Sequence, residues 1–230
     1  MLKTVILLSL AALTAADDSD FYDYLELTIQ WVPGACSNDP DCISPVPERW
    51  TVRGLKPKRA RGGWPMHCCT PNCPPNCHLQ DLKVNERLIG DMGTQWPSLS
   101  PDSTTNEQLW EDEYCKHGTR CDDIMPNPED YFKRTLQLYA EIVARLDAAG
   151  IRPSRNSRYT FEQVEEALTV DRASYRCTWS RGKQFLSELG VCLDKTFAVI
   201  DCPKESSIDC DKTNKFSLMP VKTEELCVIS

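Results

Sequence analysis

Thirteen cysteines follow a short apolar leader in this chain, and no other feature narrows its possible folds as much. Residues 1–16 read as a secretory signal. Lys3 supplies the charge, Val5 to Leu13 the apolar core, and Thr14-Ala15-Ala16 the small-residue cleavage site. The apolar run is too short for a membrane span, and no later stretch is long enough. Such a chain is expected to be secreted and extracellular, with no membrane partner. Its cysteines are expected to oxidise into a framework that staples the fold. Residues 17–230 are long enough for one domain with a substantial core. An odd cysteine count leaves at least one thiol unpaired or shared with a second chain. Cys227 is the candidate, with a disulfide-linked dimer as the consequence.

The cluster Cys68-Cys69, Cys73, Cys77-His78 offers ligand types that suit zinc. Its spacing is not a standard one, and oxidation competes on a secretory route, so no metal is expected. The formal charge of −8 means that the chain does not draw polyanions from a distance. Any nucleic-acid site must be a local basic patch. The run Arg53, Lys56, Lys58, Arg59, Arg61 is the candidate, and a solvated charged loop is the plain alternative.

Leu25, Leu27, Ile29 and Trp31 alternate with polar neighbours, which predicts a strand with one buried face. In the next strand Trp50, Val52 and Gly54 are expected to face the core and Arg53 the cleft. The Pro- and Cys-rich stretch from Pro57 to Asn85 reads as a stapled loop. Phe132, Leu136, Tyr139, Val143 and Leu146 recur at helical spacing, and Gly150 ends that helix. Thr160 and Gln163 form a capping box before a helix lined by Phe161, Val164 and Leu168. Strands are expected near Val191–Leu193 and Phe197–Cys202, joined by a turn at Asp194-Lys195. Helices and strands are intermixed without regular βαβ repeats. The fold class is therefore α+β, with helices packed on a mainly antiparallel central sheet.

The chemistry concentrates in Trp110-Glu111-Asp112-Glu113-Tyr114-Cys115-Lys116-His117-Gly118. On a helix, Glu113, Lys116 and His117 share one face. A carboxylate, an ammonium and an imidazole around one spot suit phosphoryl chemistry, although an exposed mixed-charge helix end reads the same way. Upstream lies Trp50-Thr51-Val52-Arg53-Gly54-Leu55-Lys56-Pro57.

Together these segments resemble the paired motifs of the ribonuclease T2 family, roughly Phe/Trp-Thr-Ile/Val-His-Gly-Leu-Trp-Pro and His-Glu-Trp-x-Lys-His-Gly-Thr-Cys. Leu27 to Cys36, Gln95 to Leu99, Gly190 to Asp194 and Asp201 to Pro203 extend the resemblance over nearly the whole mature chain. It implies a disulfide-stapled T2-like fold. It also implies the pairs Cys36–Cys42, Cys177–Cys210 and Cys192–Cys202, with Cys121 bonded to Cys68 or Cys69. The implied activity is endonucleolytic cleavage of single-stranded RNA without metal or cofactor, through a 2′,3′-cyclic phosphate. Two histidines carry the protons, and a cation and a carboxylate stabilise the transition state.

The departures bear on activity. Arg53 stands in the slot of the first-motif histidine, Lys56 in that of its tryptophan, and Asp112 in that of the second motif's leading histidine. Arg120 is an extra residue before Cys121. By carry-over His117 is the general base, Lys116 holds phosphoryl oxygens and Glu113 supports both. Arginine keeps its proton up to pH ~12 and cannot cycle it at neutrality. It can hold a phosphate in a two-pronged grip, with Lys56 and Lys116 beside it. His67 and His78 are poor substitutes in a Cys-rich loop. The expectation is a catalytically impaired protein that binds RNA or nucleotide phosphate, or a protein partner, in the former cleft. A working ribonuclease using His117 is the alternative.

Overall fold

The computed structural model describes residues 22–61, 84–153, 156–203 and 210–221. Its centre is strand β1, Tyr24–Trp31. Leu25, Leu27 and Ile29 point into the core and are fully buried. Glu26 and Gln30, on the supposedly open face, are buried as well. The reason is position: β1 lies between β2 (Trp50–Lys58) and β4 (Lys183–Leu193), whose long side chains close over it.

The sheet runs β2-β1-β4-β3, with β3 being Ser174–Ser180. The short β5, Val199–Ile200, pairs with the end of β4. All of these pairings are antiparallel. The expected α+β class with a mainly antiparallel sheet is what the chain adopts. The expected strand Phe197–Cys202 is shorter, because Asp194 captures the turn. Its Oδ1 accepts from the backbone N–H groups of Thr196 and Ala198, and Phe197 is held at φ 68°. The β3–β4 hairpin was not foreseen. It turns on Arg181 and Gly182, both at positive φ (50° and 71°), the geometry of a two-residue turn that matches strand twist.

The helices are α1 (Val32–Ala35), α2 (Glu86–Gln95), α3 (Asn106–Lys116), α4 (Pro128–Ala148) and α5 (Phe161–Leu168). Pro128 opens α4 behind Asn127, whose side chain caps the helix. Gly150, at φ 74°, ends it as expected. Both bonds of the Thr160–Gln163 capping box form. The buried face of α4 includes Tyr131, Phe132, Leu136, Leu138, Ile142 and Leu146, each worth about 1.5–3 kcal/mol on burial. Two hydroxyls fasten this helix to β2: Tyr131 donates to Leu55 O at 2.7 Å and Tyr139 to Trp50 O at 2.8 Å. The motif strand is thereby fastened at Trp50 and at Leu55.

Cys36–Cys42, Cys177–Cys210 and Cys192–Cys202 are bonded. The Cys121 pairing is not. Cys121 is a free, fully buried thiol, and Cys115 is the bonded cysteine of this motif. Gly118–Arg120 form a 3-10 turn, Cys121 N–H donates to Gly118 O, and its thiol turns in to His117 O at 3.4 Å. Burial, with Asp123 and Asp122 nearby, pushes this thiol far above its usual range. Iodoacetamide is therefore expected to leave Cys121 unmodified in the native protein and to label it after unfolding; labelling of the native chain, read by peptide mass spectrometry, would contradict this placement. Cys68, Cys69, Cys73, Cys77 and Cys227, the leader and the loop around His67 and His78 lie outside the described residues. No helix among the described residues is long and apolar enough to cross a membrane.

Candidate active site

The first motif strand carries a β-bulge. Thr28 pairs with Gly54 and the adjacent Ile29 with Val52, so Arg53 is the extra residue between them. A bulge re-aims a side chain without breaking the strand. Val52 and Gly54 stay buried, while the Arg53 side chain is 49% exposed. Its Nε lies 3.8 Å from Glu188 Oε1, two strands away on β4.

Gly54 is a glycine because the second motif rests on it. A Cβ there would collide with Glu113 Oε2 and with the Lys56 stem. This contact seats α3 on β2. Thr105 and Gln108 cap α3 reciprocally, and the Trp110 indole donates to Trp96 O at 2.7 Å, tying α3 to the end of α2.

The helix stops earlier than the motif's spacing suggested. Its last residue is Lys116, and His117 is the C-cap at φ −127°. Glu113, Lys116 and His117 therefore do not share one helical face. The turn at Gly118 packs so closely on the rings of Tyr114 and Tyr131 that a Cβ would not fit, and this contact pulls the chain out of helical geometry. Glu113 and His117 go inward, 8% and 5% exposed, linked by the His117 N–H donating to Glu113 O at 3.0 Å. Lys116 turns outward and pairs with Asp112 at 2.7 Å. An exposed pair of this kind is worth about 0–1 kcal/mol, so Lys116 is readily drawn to another anion.

Lys56, in the tryptophan slot of the first motif, is the partner of Glu113, with Nζ 3.6 Å from Oε1. Glu113 Oε2 has no hydrogen-bond partner among the described residues. Burial raises the Glu113 pKa above the ordinary carboxylate range, while Lys56, Arg53 and Lys116 pull it down. Lys56 is thus the direct partner of Glu113, Arg53 and Lys116 act on it from farther off, and His117 is tied in through the backbone. Arg53 cannot move a proton there at neutral pH.

Two participants were not visible in the sequence. Glu188 orients Arg53 from a strand that was read only at its far end. Gln30, placed by periodicity on an outward face, lines a cavity of about 320 Å³ beside Arg53, together with Val52, Ser98, Leu99 and Glu188. Strand pairing brings them there, and only the pairing of β4 with β1 would have revealed it.

The ribonuclease T2 family model matches residues 22–202. Ribonuclease Oy of Magallana gigas is 31% identical over 220 residues, covering 87% of this chain and 97% of that protein. A ribonuclease-like storage protein of Panax ginseng is 27% identical over 206 residues, covering 85% of this chain and 81% of its own length. Among solved structures, RNase NT in complex with 5′-AMP superposes with a TM-score of 0.67 at 26% identity, covering 86% of this chain and 98% of that one. The strand-and-helix pair that carries Arg53 and His117 lies within the matched span, and this chain belongs to the ribonuclease T2 family.

Proposed function

We propose that this chain is a secreted T2-family protein, one domain behind a cleaved leader, that binds RNA or nucleotide phosphate in the family's cleft and cleaves RNA poorly or not at all. The observation that carries this reading is Arg53. It occupies the histidine slot of the first motif, bulged toward the cleft, with its Nε 3.8 Å from Glu188 Oε1. A missing proton carrier lowers a rate by about 10²–10⁴-fold. Glu113 does not replace it, since its Oε2 is closed off against Gly54 and its Oε1 faces Lys56.

In this reading Arg53, Lys56 and Lys116 hold phosphate oxygens, Glu113 fixes the lysines, and His117 remains as the single proton carrier of the two motifs. The 5′-AMP bound to RNase NT supports a nucleotide phosphate as ligand. The ginseng protein, named for storage, supports the fold's use apart from turnover. Three disulfides among the described residues support an oxidising, extracellular setting. The odd cysteine count extends the proposal to a disulfide-linked dimer through Cys227.

Calorimetric titration with 5′-AMP tests the binding half. Saturable binding by the wild-type protein is expected, weakened about tenfold in Arg53→Gln, since a charge-assisted bond contributes roughly 1.5–3 kcal/mol. Absence of saturable binding by folded protein would contradict it.

A further inference from the structure

The β3–β4 hairpin carries opposite chemistry at its two ends. Residues 179–183 form the turn end and are all exposed. Trp179, at 50%, is the one large hydrophobic side chain left exposed among the described residues. It stands across from Gln184 of β4, whose amide is engaged with Asp211 and Asn214 instead of the indole. Arg181 and Lys183 flank it, and neither has an ion pair among the described residues. The neighbouring Asp211 turns its carboxylate to Thr213 and Asn214. Tryptophan and arginine are the side chains that most often carry interface energy. A two-residue turn presents them with little freedom left to lose on docking.

The other end is a groove of about 590 Å³ between the end of α5 and β5. Val170, Val199 and Ile200 line it with apolar surface, and Glu165, Glu166, Asp171 and Asp201 bring four carboxylates. No described residue that lines it is basic. Lys212 takes Glu165 at 2.6 Å, while Glu166, Asp171 and Asp201 have no ion pair among the described residues. Asp201 Oδ1 accepts from the Asp171 and Arg172 backbone N–H groups at 2.6 and 3.2 Å, which holds the edge of the groove in shape. Thr169, in the left-handed region at φ 63°, ends α5 here. The partial negative charge of a helix C-terminus adds to that of the carboxylates.

The same chain therefore carries an aromatic, cationic tip and an apolar, anionic groove. β4, 11 residues long, runs from Lys183 at the tip to Leu193, which pairs with Val199 of the groove. That separates the two ends by about 33 Å, so a chain cannot fill its own groove. Two tips would repel each other, and the groove is the complementary surface that the chain itself supplies. We infer that the hairpin tip of one copy docks in the α5–β5 groove of a second copy of this chain. Trp179 then covers the apolar floor, and Arg181 and Lys183 meet Glu166, Asp171 and Asp201. Tip and groove are different surfaces, so the contact is head-to-tail and can repeat into rings or rows. None of the motif residues takes part, so the contact does not depend on what the cleft binds.

Sedimentation velocity of the purified chain, from micromolar to millimolar concentration, tests this. The sedimentation coefficient of the wild type is expected to rise with concentration, reversibly on dilution and less steeply at high salt. A disulfide-linked pair does not come apart on dilution and is read separately. Trp179→Ser should weaken the association about 30-fold, the size of an aromatic hot spot. Glu166→Lys combined with Asp171→Lys should abolish it. All three side chains are exposed, and circular dichroism checks the fold of each variant. Mixed together, the two variants retain one intact tip and one intact groove, so they should form a one-to-one complex and nothing larger. A wild type whose sedimentation coefficient is the same at every concentration would overturn the inference. So would association that is unchanged in Trp179→Ser, or folded variants that do not recombine on mixing.

Discussion

Arg53→His is expected to raise the rate of RNA cleavage by about 10²-fold or more over the wild type, with 2′,3′-cyclic phosphate as product. The size follows from general acid–base catalysis, which typically contributes 10²–10⁴-fold when a missing carrier is supplied in place. The position favours the gain. Arg53 is the extra residue of a bulge flanked by the buried Val52 and Gly54, so the backbone that aims the side chain does not depend on the side chain itself. A histidine is smaller and introduces no clash. The substitution removes only a loose, half-exposed contact with Glu188, worth about 0–1 kcal/mol, so the unfolding midpoint should barely move. The gained activity should peak near neutral pH, where an imidazole both gives and takes a proton. A folded variant as slow as the wild type would show that more than the proton carrier has been lost.

Lys56→Met is expected to cause the largest loss of stability at the site. Lys56 is the near partner of Glu113, and both side chains are mostly buried. Removing one member of a buried pair leaves the other charge uncompensated, which typically costs 3–5 kcal/mol. Arg53 and Lys116 also act on Glu113, which places the expected loss near the low end, about 3 kcal/mol. The loss should depend on pH. Burial already lifts the Glu113 pKa above its ordinary 4.5, and Lys56 is the largest opposing influence. A carboxyl with a raised pKa binds its proton more tightly in the folded state. Its ionisation therefore lowers stability as pH rises from about 4.5 through the raised value. Without Lys56 that window extends higher. The variant should match the wild type closely at pH 4 and fall well below it at pH 8, measured by urea unfolding. Combining it with Glu113→Gln should recover most of the loss. A Lys56→Met deficit that is the same at both pH values, or unaffected by Glu113→Gln, would show that Lys56 acts by packing alone.

Local periodicity carried much of the fold. The alternation in Leu25–Trp31, the helical spacing from Phe132 to Leu146, and the Thr160–Gln163 box each correspond to an element whose buried face or cap is the expected one. These features are set by near neighbours in the chain. What escaped depends on distant ones. The upper part of β4 has Ser187, Glu188 and Gly190 where a strand pattern would show apolar residues. Glu188 and Gly190 lie on the polar face, which meets Arg176 and Glu26, and Ser187 is the residue that the register with β3 skips. The bulge at Arg53 is a mismatch of register with β1, invisible in β2 alone. Alternation turned Arg53 toward the cleft, but did not reveal Glu188 beside it.

The site was legible in the same uneven way. Motif resemblance pointed to Arg53, Lys56, Glu113, Lys116 and His117; the structure pairs Lys56 with Glu113 and Lys116 with Asp112. The assumption of a continuous helix put His117 on the wrong footing, because the packing of Gly118 against Tyr114 and Tyr131 ends α3 one residue sooner. The resemblance also misassigned Cys121. The thiol lies buried behind the 3-10 turn of Gly118–Arg120.

The most direct measurement is cleavage of single-stranded RNA by the purified wild-type chain beside His117→Ala, with the products identified by mass. A wild type that yields no 2′,3′-cyclic phosphate above the His117→Ala background is the expected result, and it leaves Arg53 as the residue that silences the cleft. A wild type that cleaves, with the activity abolished in His117→Ala, would contradict this and mean that a second proton carrier operates in the cleft beside His117.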